Sequence, residues 1–145
     1  MAIARSVADL MTRQVITLNE EDDLVDISEN METLGLRHLP VVDDGVLVGI
    51  VSHRDILRVS AGTLEAGAAQ RDAIMREHTF AGDIMTRDVV TVRPETTVTQ
   101  AAQLLLRHKF GCLPVVDEQG KLVGIVTEHD FLRLLVETLE AAGVH

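Results

Sequence analysis

Apolar residues along this chain follow two alternating periods, one typical of strands and one typical of helices. Short runs rich in valine and isoleucine, at residues 15–18 and 89–92, predict strands. Apolar residues spaced three or four apart follow each run and predict helices: Leu24, Ile27, Met31 and Leu34, then Val98, Ala101 and Leu105. Next, paired apolar runs separated by an acidic turn containing glycine predict β-hairpins at 39–52 and 113–127. A closing amphipathic helix follows each hairpin.

The order strand, helix, strand, strand, helix occurs twice because the chain contains an internal repeat. The sequence DLMTR at 9–13 aligns with DIMTR at 83–87, a shift of 74 residues. In the same register LPVVD at 39–43 aligns with 113–117. After one inserted residue, GIVS at 49–52 aligns with GIVT at 124–127. A match this long and ordered predicts two copies of one structural unit.

Residues that favour helix ends stand where the pattern places them. Thr97 and Gln100 have the spacing of a capping box, and either Asp22 or Asp23 suits the N-cap of the corresponding helix in the first repeat. Gly143 follows the last amphipathic segment and is typical of a helix C-terminus.

These elements predict an α+β fold with two repeats packed about a pseudo-two-fold axis. We expect the first repeat at residues 1–60, a linker that is helical in part at 61–80, and the second repeat at 81–145. One repeat of about 50 residues is marginal alone, so the two should bury their sheets together.

Composition and charge argue against several classes of function and cellular location. The chain of 145 residues has 13 Lys and Arg against 23 Asp and Glu, a formal net charge of −10. A net negative charge of this size repels nucleic acid. The chain also has no Trp or Tyr, whose rings usually stack on bases. Cys112 is the single cysteine and has no partner for an internal disulfide. No apolar stretch is long enough for a membrane span or a signal peptide, so we expect a cytoplasmic protein.

The repeats resemble a known family. The segments DLMTRQVITL and DIMTRDVVTV, HLPVVDDGVLVGIVSHRD and CLPVVDEQGKLVGIVTEHD are similar to the tandem CBS-domain pair, or Bateman module, over nearly the whole chain. The resemblance implies a stand-alone, non-catalytic regulatory module. It also implies that clefts between the repeats bind an adenosine-containing ligand such as AMP, ADP, ATP or S-adenosylmethionine. Homodimers formed by helix packing and an effector protein, which the sequence does not name, are implied as partners.

The same resemblance assigns roles to particular positions. Asp55 and Asp130 match the aspartate that holds the ribose, and Ser52 and Thr127 match its hydroxyl neighbour. The positions before each Leu-Pro match residues that line the adenine pocket, and the first-strand positions match its apolar wall. By this likeness one cleft joins Thr127, His129 and Asp130 to Ile16, Arg37 and His38, and the other joins Ser52, His53, Arg54 and Asp55 to Val90, Gly111 and Cys112. Glu128, which replaces His53 in the second copy, should oppose a triphosphate, so we expect the two sites to differ.

Other interpretations stay open on the residues alone. Ser-x-x-Asp and Thr-x-x-Asp are also capping boxes that need no ligand, and spacing by itself favours that simpler role. A structural dimerisation module without ligand is therefore an alternative, as is an S-adenosylmethionine sensor. The six histidines show no paired metal spacing, and no required cofactor is expected. No catalytic constellation supports an enzyme.

Overall fold

The structure is a computed structural model that describes residues 4–59 and 78–144. It contains helices and small antiparallel sheets, which confirms the α+β class. In chain order the elements are α1 (Val7–Leu10), α2 (Leu24–Leu34), β1 (His38–Asp43), β2 (Val46–Ser52), α3 (His53–Val59), α4 (Ala81–Ile84), α5 (Val98–His108), β3 (Cys112–Val116), β4 (Leu122–Thr127) and α6 (Glu128–Ala141). Most of the predicted linker lies outside the described residues.

The chain divides into two compact units that differ from the two repeats in one respect. The first unit is Ile16–Val89, and the second combines Met1–Val15 with Val90–His145. The DLMTR segment of the first repeat therefore belongs to the second unit, and the DIMTR segment of the second repeat belongs to the first. Each unit consists of one hairpin, the helices packed on it and one of these exchanged segments.

The first unit is built around the β1–β2 hairpin and α2. The strands pair antiparallel, with Leu39 opposite Val51 and a register shift between Val41 and Val42. Of the two predicted candidates, Asp22 and Asp23, it is Asp23 that caps α2, since its side chain accepts a hydrogen bond from the Asp26 amide. The fully or nearly buried core is Leu18, Leu24, Ile27, Met31, Leu39, Val41, Val51, Ile56, Ala81 and Met85. Leu34, the last residue of α2, belongs to the predicted helical spacing but is 47% exposed.

The second unit repeats this arrangement with β3, β4 and α5. The predicted capping box forms, with Gln100 N donating to Thr97 Oγ1 at 3.1 Å and Thr97 N donating to Gln100 Oε1 at 3.2 Å. Gly143 has a φ of +74° and its amide donates to the Glu140 carbonyl, so it ends α6 as predicted. The core is Val7, Met11, Val92, Ala101, Leu105, Leu113, Val115 and Val126.

The first predicted strand of each repeat is reduced to a single parallel bridge, so the strand prediction was too long. Leu18 N donates to Pro40 O at 2.8 Å and Leu18 O accepts from Val42 N at 2.9 Å. Val92 makes the corresponding bridge to Val115. Pairing stops there because the neighbouring residues are exposed or half-buried and gain little from a longer ladder. These bridges still hold each segment beside its hairpin.

The glycine of each GIV motif has a packing role that was not predicted. In the first unit Met85 and Thr86 of the exchanged segment cross directly over Gly49, and Ile50 exchanges backbone hydrogen bonds with Thr86 at 2.9 and 3.0 Å. In the second unit Met11 crosses Gly124 in the same way. A Cβ on Gly49 would lie 2.6 Å from Met85 Sδ and 3.0 Å from Thr86 O, so only glycine lets the exchanged segment approach this closely.

Gly49→Ala is therefore expected to lower the free energy of unfolding by about 1–3 kcal/mol, because the methionine must move and the bridge must lengthen. Urea unfolding followed by circular dichroism measures the change. Gly82→Ala in α4 is the matched control, since its Cβ would meet Glu20 Cβ at an ordinary 3.4 Å. Equal unfolding free energies for both variants would contradict the close approach.

In the described part of the chain, every helix is too short or too polar to cross a membrane.

Candidate functional site

In the first unit, the candidate site is centred on Asp55, which follows the β-hairpin in the first turn of α3. Asp55 is only 8% exposed. Its Oδ2 accepts hydrogen bonds from Ser52 N at 2.7 Å and Ser52 Oγ at 3.0 Å, while Asp55 N donates to Ser52 Oγ at 3.2 Å. Asp55 and Ser52 therefore form the predicted helix cap, and this cap involves only one of the two carboxylate oxygens.

The second carboxylate oxygen of Asp55 has only a distant cationic neighbour. Asp55 Oδ1 lies 3.7 Å from Arg58 Nη1, which is beyond hydrogen-bond range, and the arginine side chain is 78% exposed. Within the described residues no donor bonds to Oδ1. An ionised carboxylate oxygen has lone pairs that can accept hydrogen bonds from more than one donor. The geometry therefore leaves an acceptor available to a ligand.

Asp130 repeats this arrangement at the start of α6. It is also 8% exposed, and its Oδ2 accepts from Thr127 N at 2.8 Å and Thr127 Oγ1 at 3.3 Å. Its Oδ1 lies 3.9 Å from Arg133 Nη1. The repeat thus preserves three features: the bonded oxygen, a second oxygen to which no described residue donates a hydrogen bond, and the distant arginine.

Two other aspartates use the same capping geometry but differ in exposure. Asp9 Oδ2 accepts from Ser6 N at 3.1 Å, and Asp83 Oδ2 accepts from Phe80 N at 2.9 Å. Hydrogen bonds from the amides of Arg5 and Ser6 lower the pKa of the Asp9 carboxyl. Both side chains are exposed. Capping alone does not bury an aspartate in this chain, which sets Asp55 and Asp130 apart.

The residues before each Leu-Pro lie beside these aspartates. His38 pairs with Ser52 across the hairpin, and the Arg37 carbonyl accepts from His53 N at 2.8 Å. In the second unit Cys112 pairs with Thr127, and the Gly111 carbonyl accepts from Glu128 N at 3.2 Å.

Within each unit the structure therefore brings together the pre-proline positions and the helix-start motif of the same repeat. The parallel bridges at Leu18 and Val92 also place Ile16 and Val90 beside the start of the same hairpin. Ile16 is 44% exposed, which suits an apolar wall, whereas Val90 packs partly on the core. His53, Arg54 and His129 are exposed at the beginning of the closing helices. The sharing of each site across the repeats stays a prediction.

Sequence reasoning missed Arg58 and Arg133 as neighbours of the two aspartates. The signal was present, because Asp-x-x-Arg occurs at the same place in both repeats and a spacing of three residues brings side chains together on a helix.

Cys112 contributes backbone rather than side chain to the candidate site. Its thiol is buried, with 4% of the residue exposed, and burial raises its pKa to about 12. Since the thiolate is the reactive form, the thiol stays protonated and inert near neutral pH.

We expect Cys112 in the folded protein to resist a thiol reagent such as 5,5′-dithiobis(2-nitrobenzoic acid) at pH 8. In urea the same thiol should react promptly, because its pKa returns toward the ordinary value near 9.0. Absorbance of the released thiolate follows the reaction. Rapid labelling of folded protein would contradict its burial.

A groove of about 370 Å³ in the second unit lies away from these residues. It is lined by Thr91, Val92, Arg93, Thr96, Gln100, Gln103, Leu104 and Arg107, none of which was predicted for the site. Across the described ranges, no group of three or more His, Cys, Asp or Glu side chains is arranged to hold a metal ion.

Comparison with models of known protein families identifies the family of this chain. The family model for the CBS domain matches residues 7–62 and 81–137, so the chain belongs to the CBS-domain family, with two copies of the domain.

Solved structures of two proteins are similar to this chain over most of their length. CBSX2 from Arabidopsis thaliana, a CBS-pair protein, has a TM-score of 0.82 and 31% identity, covering 94% of this chain and 98% of that one. CBSX2 has also been solved in complex with AMP. The CBS domain pair of protein MJ0100, in complex with 5′-methylthioadenosine and S-adenosyl-L-methionine, has a TM-score of 0.75 and 28% identity, covering 92% and 97% of the two chains.

Several curated relatives are much longer than this chain. A homoserine O-acetyltransferase of Methanococcoides burtonii is 37% identical over 131 residues, which is 90% of this chain but 24% of that protein. The chain spans between 22% and 46% of the length of the first three curated relatives that it matches.

Proposed function

We propose that this chain is a regulatory module that binds an adenosine-containing ligand at surfaces centred on Asp55 and Asp130. At least one of the two surfaces binds an adenosine nucleotide, AMP, ADP or ATP, and this binding changes the behaviour of an effector protein rather than the chemistry of a substrate. The module acts in the cytoplasm and needs no cofactor of its own.

The proposal rests mainly on the different roles of the two oxygens of each buried carboxylate. Oδ2 of Asp55 is committed to Ser52, while Oδ1 accepts no hydrogen bond from the described residues. A ribose offers two neighbouring hydroxyl donors, and hydrogen bonds to a charged acceptor contribute about 1.5–3 kcal/mol each. The diol therefore fits the acceptor that the cap leaves unused.

Two further observations support an adenosine compound. Among the relatives, CBSX2 has been solved with AMP and the MJ0100 pair with two adenosyl compounds. In the chain itself, Arg37 and Arg54 are exposed, the Arg37 carbonyl accepts from His53 N, and Arg54 directly precedes Asp55. Guanidinium groups are suited to phosphate.

Isothermal titration calorimetry with AMP, ADP, ATP and S-adenosylmethionine tests the proposal. We expect saturable binding of at least one adenosine nucleotide. Absence of heat with all four ligands at several temperatures, with protein that unfolds cooperatively, would overturn it.

The capping hydrogen bonds favour one alternative function. In this alternative the chain is a structural module that binds no ligand, and the two aspartates serve only as helix caps. Thermal unfolding separates the two functions. A ligand present at a hundred times its Kd should stabilise the sensor by about 2.7 kcal/mol and leave the structural module unchanged.

We also propose that the module forms a homodimer through α6. This helix exposes Leu132, Leu135, Val136 and Leu139, at spacings of three and four residues, on one stripe. Such a stripe is suited to packing against its copy in a second chain. Sedimentation equilibrium should report twice the chain mass of 15.9 kDa, and Leu135→Glu should return the monomer.

A further inference from the structure

The surface beside each aspartate has the same backbone in both units but a different set of charges. In the first unit the pre-proline carbonyl of Arg37 accepts from His53 N, and in the second Gly111 accepts from Glu128 N. The hairpins pair in the same register, with His38 opposite Ser52 and Cys112 opposite Thr127. Side chains at these positions can therefore be compared one by one.

The comparison separates a cationic surface from an anionic one. Arg37 in the first unit corresponds to Gly111 in the second, and Arg54 corresponds to His129. His53 corresponds to Glu128, which reverses the sign of charge available at that position. The first surface therefore carries two guanidinium groups where the second carries one carboxylate.

These charges are available to a ligand. Arg37, His53, Arg54 and Glu128 are all exposed. Within residues 4–59 and 78–144, no ion pair neutralises either arginine or the glutamate, whereas Arg58 and Arg133 face the two aspartates.

We infer that the two surfaces take different classes of adenosine compound. The surface of the first unit binds the phosphorylated nucleotide, with Arg37 and Arg54 on the phosphate. The surface of the second unit binds an adenosine compound whose 5′ substituent carries no negative charge. This inference rests on the proposed function, since it assigns ligand classes to the same two surfaces.

The physical reason is the charge on the protein near the 5′ end of the ligand, which either attracts or repels a phosphate. Guanidinium groups form short, charge-assisted hydrogen bonds with phosphate oxygens. A carboxylate at the corresponding position repels a phosphate and is compatible with a neutral thioether or a cationic sulfonium. The aspartate can hold the ribose in both units, so the 5′ group decides which unit binds.

Amide NMR spectra of the full chain, titrated with AMP or with 5′-methylthioadenosine, test the inference directly. AMP is expected to shift the amide resonances of residues 37–38 and 52–55. The uncharged compound is expected to shift those of residues 111–112 and 127–130. Both probes contain adenine and a ribose ring with free 2′- and 3′-hydroxyls, so the difference reports the 5′ substituent alone.

A charge variant tests the same inference without disturbing a buried residue. Glu128→His introduces the side chain of the first unit and should increase AMP affinity at residues 127–130 about tenfold or more. Glu137→His is the matched control, because it makes the same change of charge at an exposed position on the same helix. The control should leave AMP binding at both surfaces as in the wild type.

The outcomes separate this inference from the function beneath it. If AMP and 5′-methylthioadenosine shift the same amides, or if Glu128→His and Glu137→His behave alike, the assignment of ligand classes is wrong while adenosine binding stands. If neither compound shifts any amide, both the assignment and the proposed function fail.

Discussion

Asp55→Asn is expected to weaken AMP binding about a hundredfold or more while changing the free energy of unfolding by less than about 1 kcal/mol. Asparagine keeps a carbonyl oxygen that can accept from Ser52 N and Ser52 Oγ, so the helix cap survives. Its amide group replaces the second carboxylate oxygen with a donor, and a donor cannot accept from a ribose hydroxyl. Calorimetric titration and urea unfolding of the same preparation measure both quantities.

Asp83→Asn is the matched control for this variant. Asp83 accepts from Phe80 N at 2.9 Å in the same capping geometry, but its side chain is exposed and lies outside the candidate site. It should lose no AMP affinity. An Asp55→Asn protein that binds AMP as tightly as the wild type would assign Asp55 to the cap alone, as the structural module requires.

The largest expected effect on stability is that of Ile27→Ala, which should lower the free energy of unfolding by about 2–5 kcal/mol. Ile27 is fully buried near the N-terminal end of α2 and belongs to the core that this helix forms with the β1–β2 hairpin. Truncation removes apolar contacts and leaves a cavity that the closely packed strands fill poorly. Urea unfolding monitored by circular dichroism gives the value.

Leu34→Ala is the comparison on the same helix. Leu34 is 47% exposed, so its truncation should change stability by less than about 0.5 kcal/mol. Similar losses for the two variants would mean that α2 does not present Ile27 to the core.

Local patterns predicted much of this fold. The hairpins, the capping box of Thr97 and Gln100, the Asp23 cap and the Gly143 terminus all depend on residues close in sequence. The short helices α1 and α4 were not predicted, because four residues carry no measurable period.

The exchange of segments between repeats could not be inferred from the repeat alone. Aligning DLMTR with DIMTR shows that the two segments are equivalent, but it does not show which hairpin each one crosses. That choice is made by contacts distant in sequence, such as Met85 on Gly49. A glycine in a strand indicates a close approach without identifying the approaching segment.

The candidate site could be predicted in its residue types but not in its detail. Spacing placed Ser52 and Asp55 at a helix start, and that spacing is equally satisfied by a cap. The burial of the aspartate, the long distance from its second oxygen to Arg58, and the contrast with exposed Asp83 required three-dimensional positions.

The central claim is that the unused carboxylate oxygen accepts from the hydroxyl groups of a ribose. Calorimetric titration with 2′,3′-dideoxyadenosine 5′-monophosphate, compared with AMP under the same conditions, tests it most directly, because the two compounds differ only in those hydroxyls. The structure predicts that the dideoxy compound binds at least about a hundredfold more weakly, from the loss of two charge-assisted hydrogen bonds. Equal affinities for the two compounds would contradict the claim.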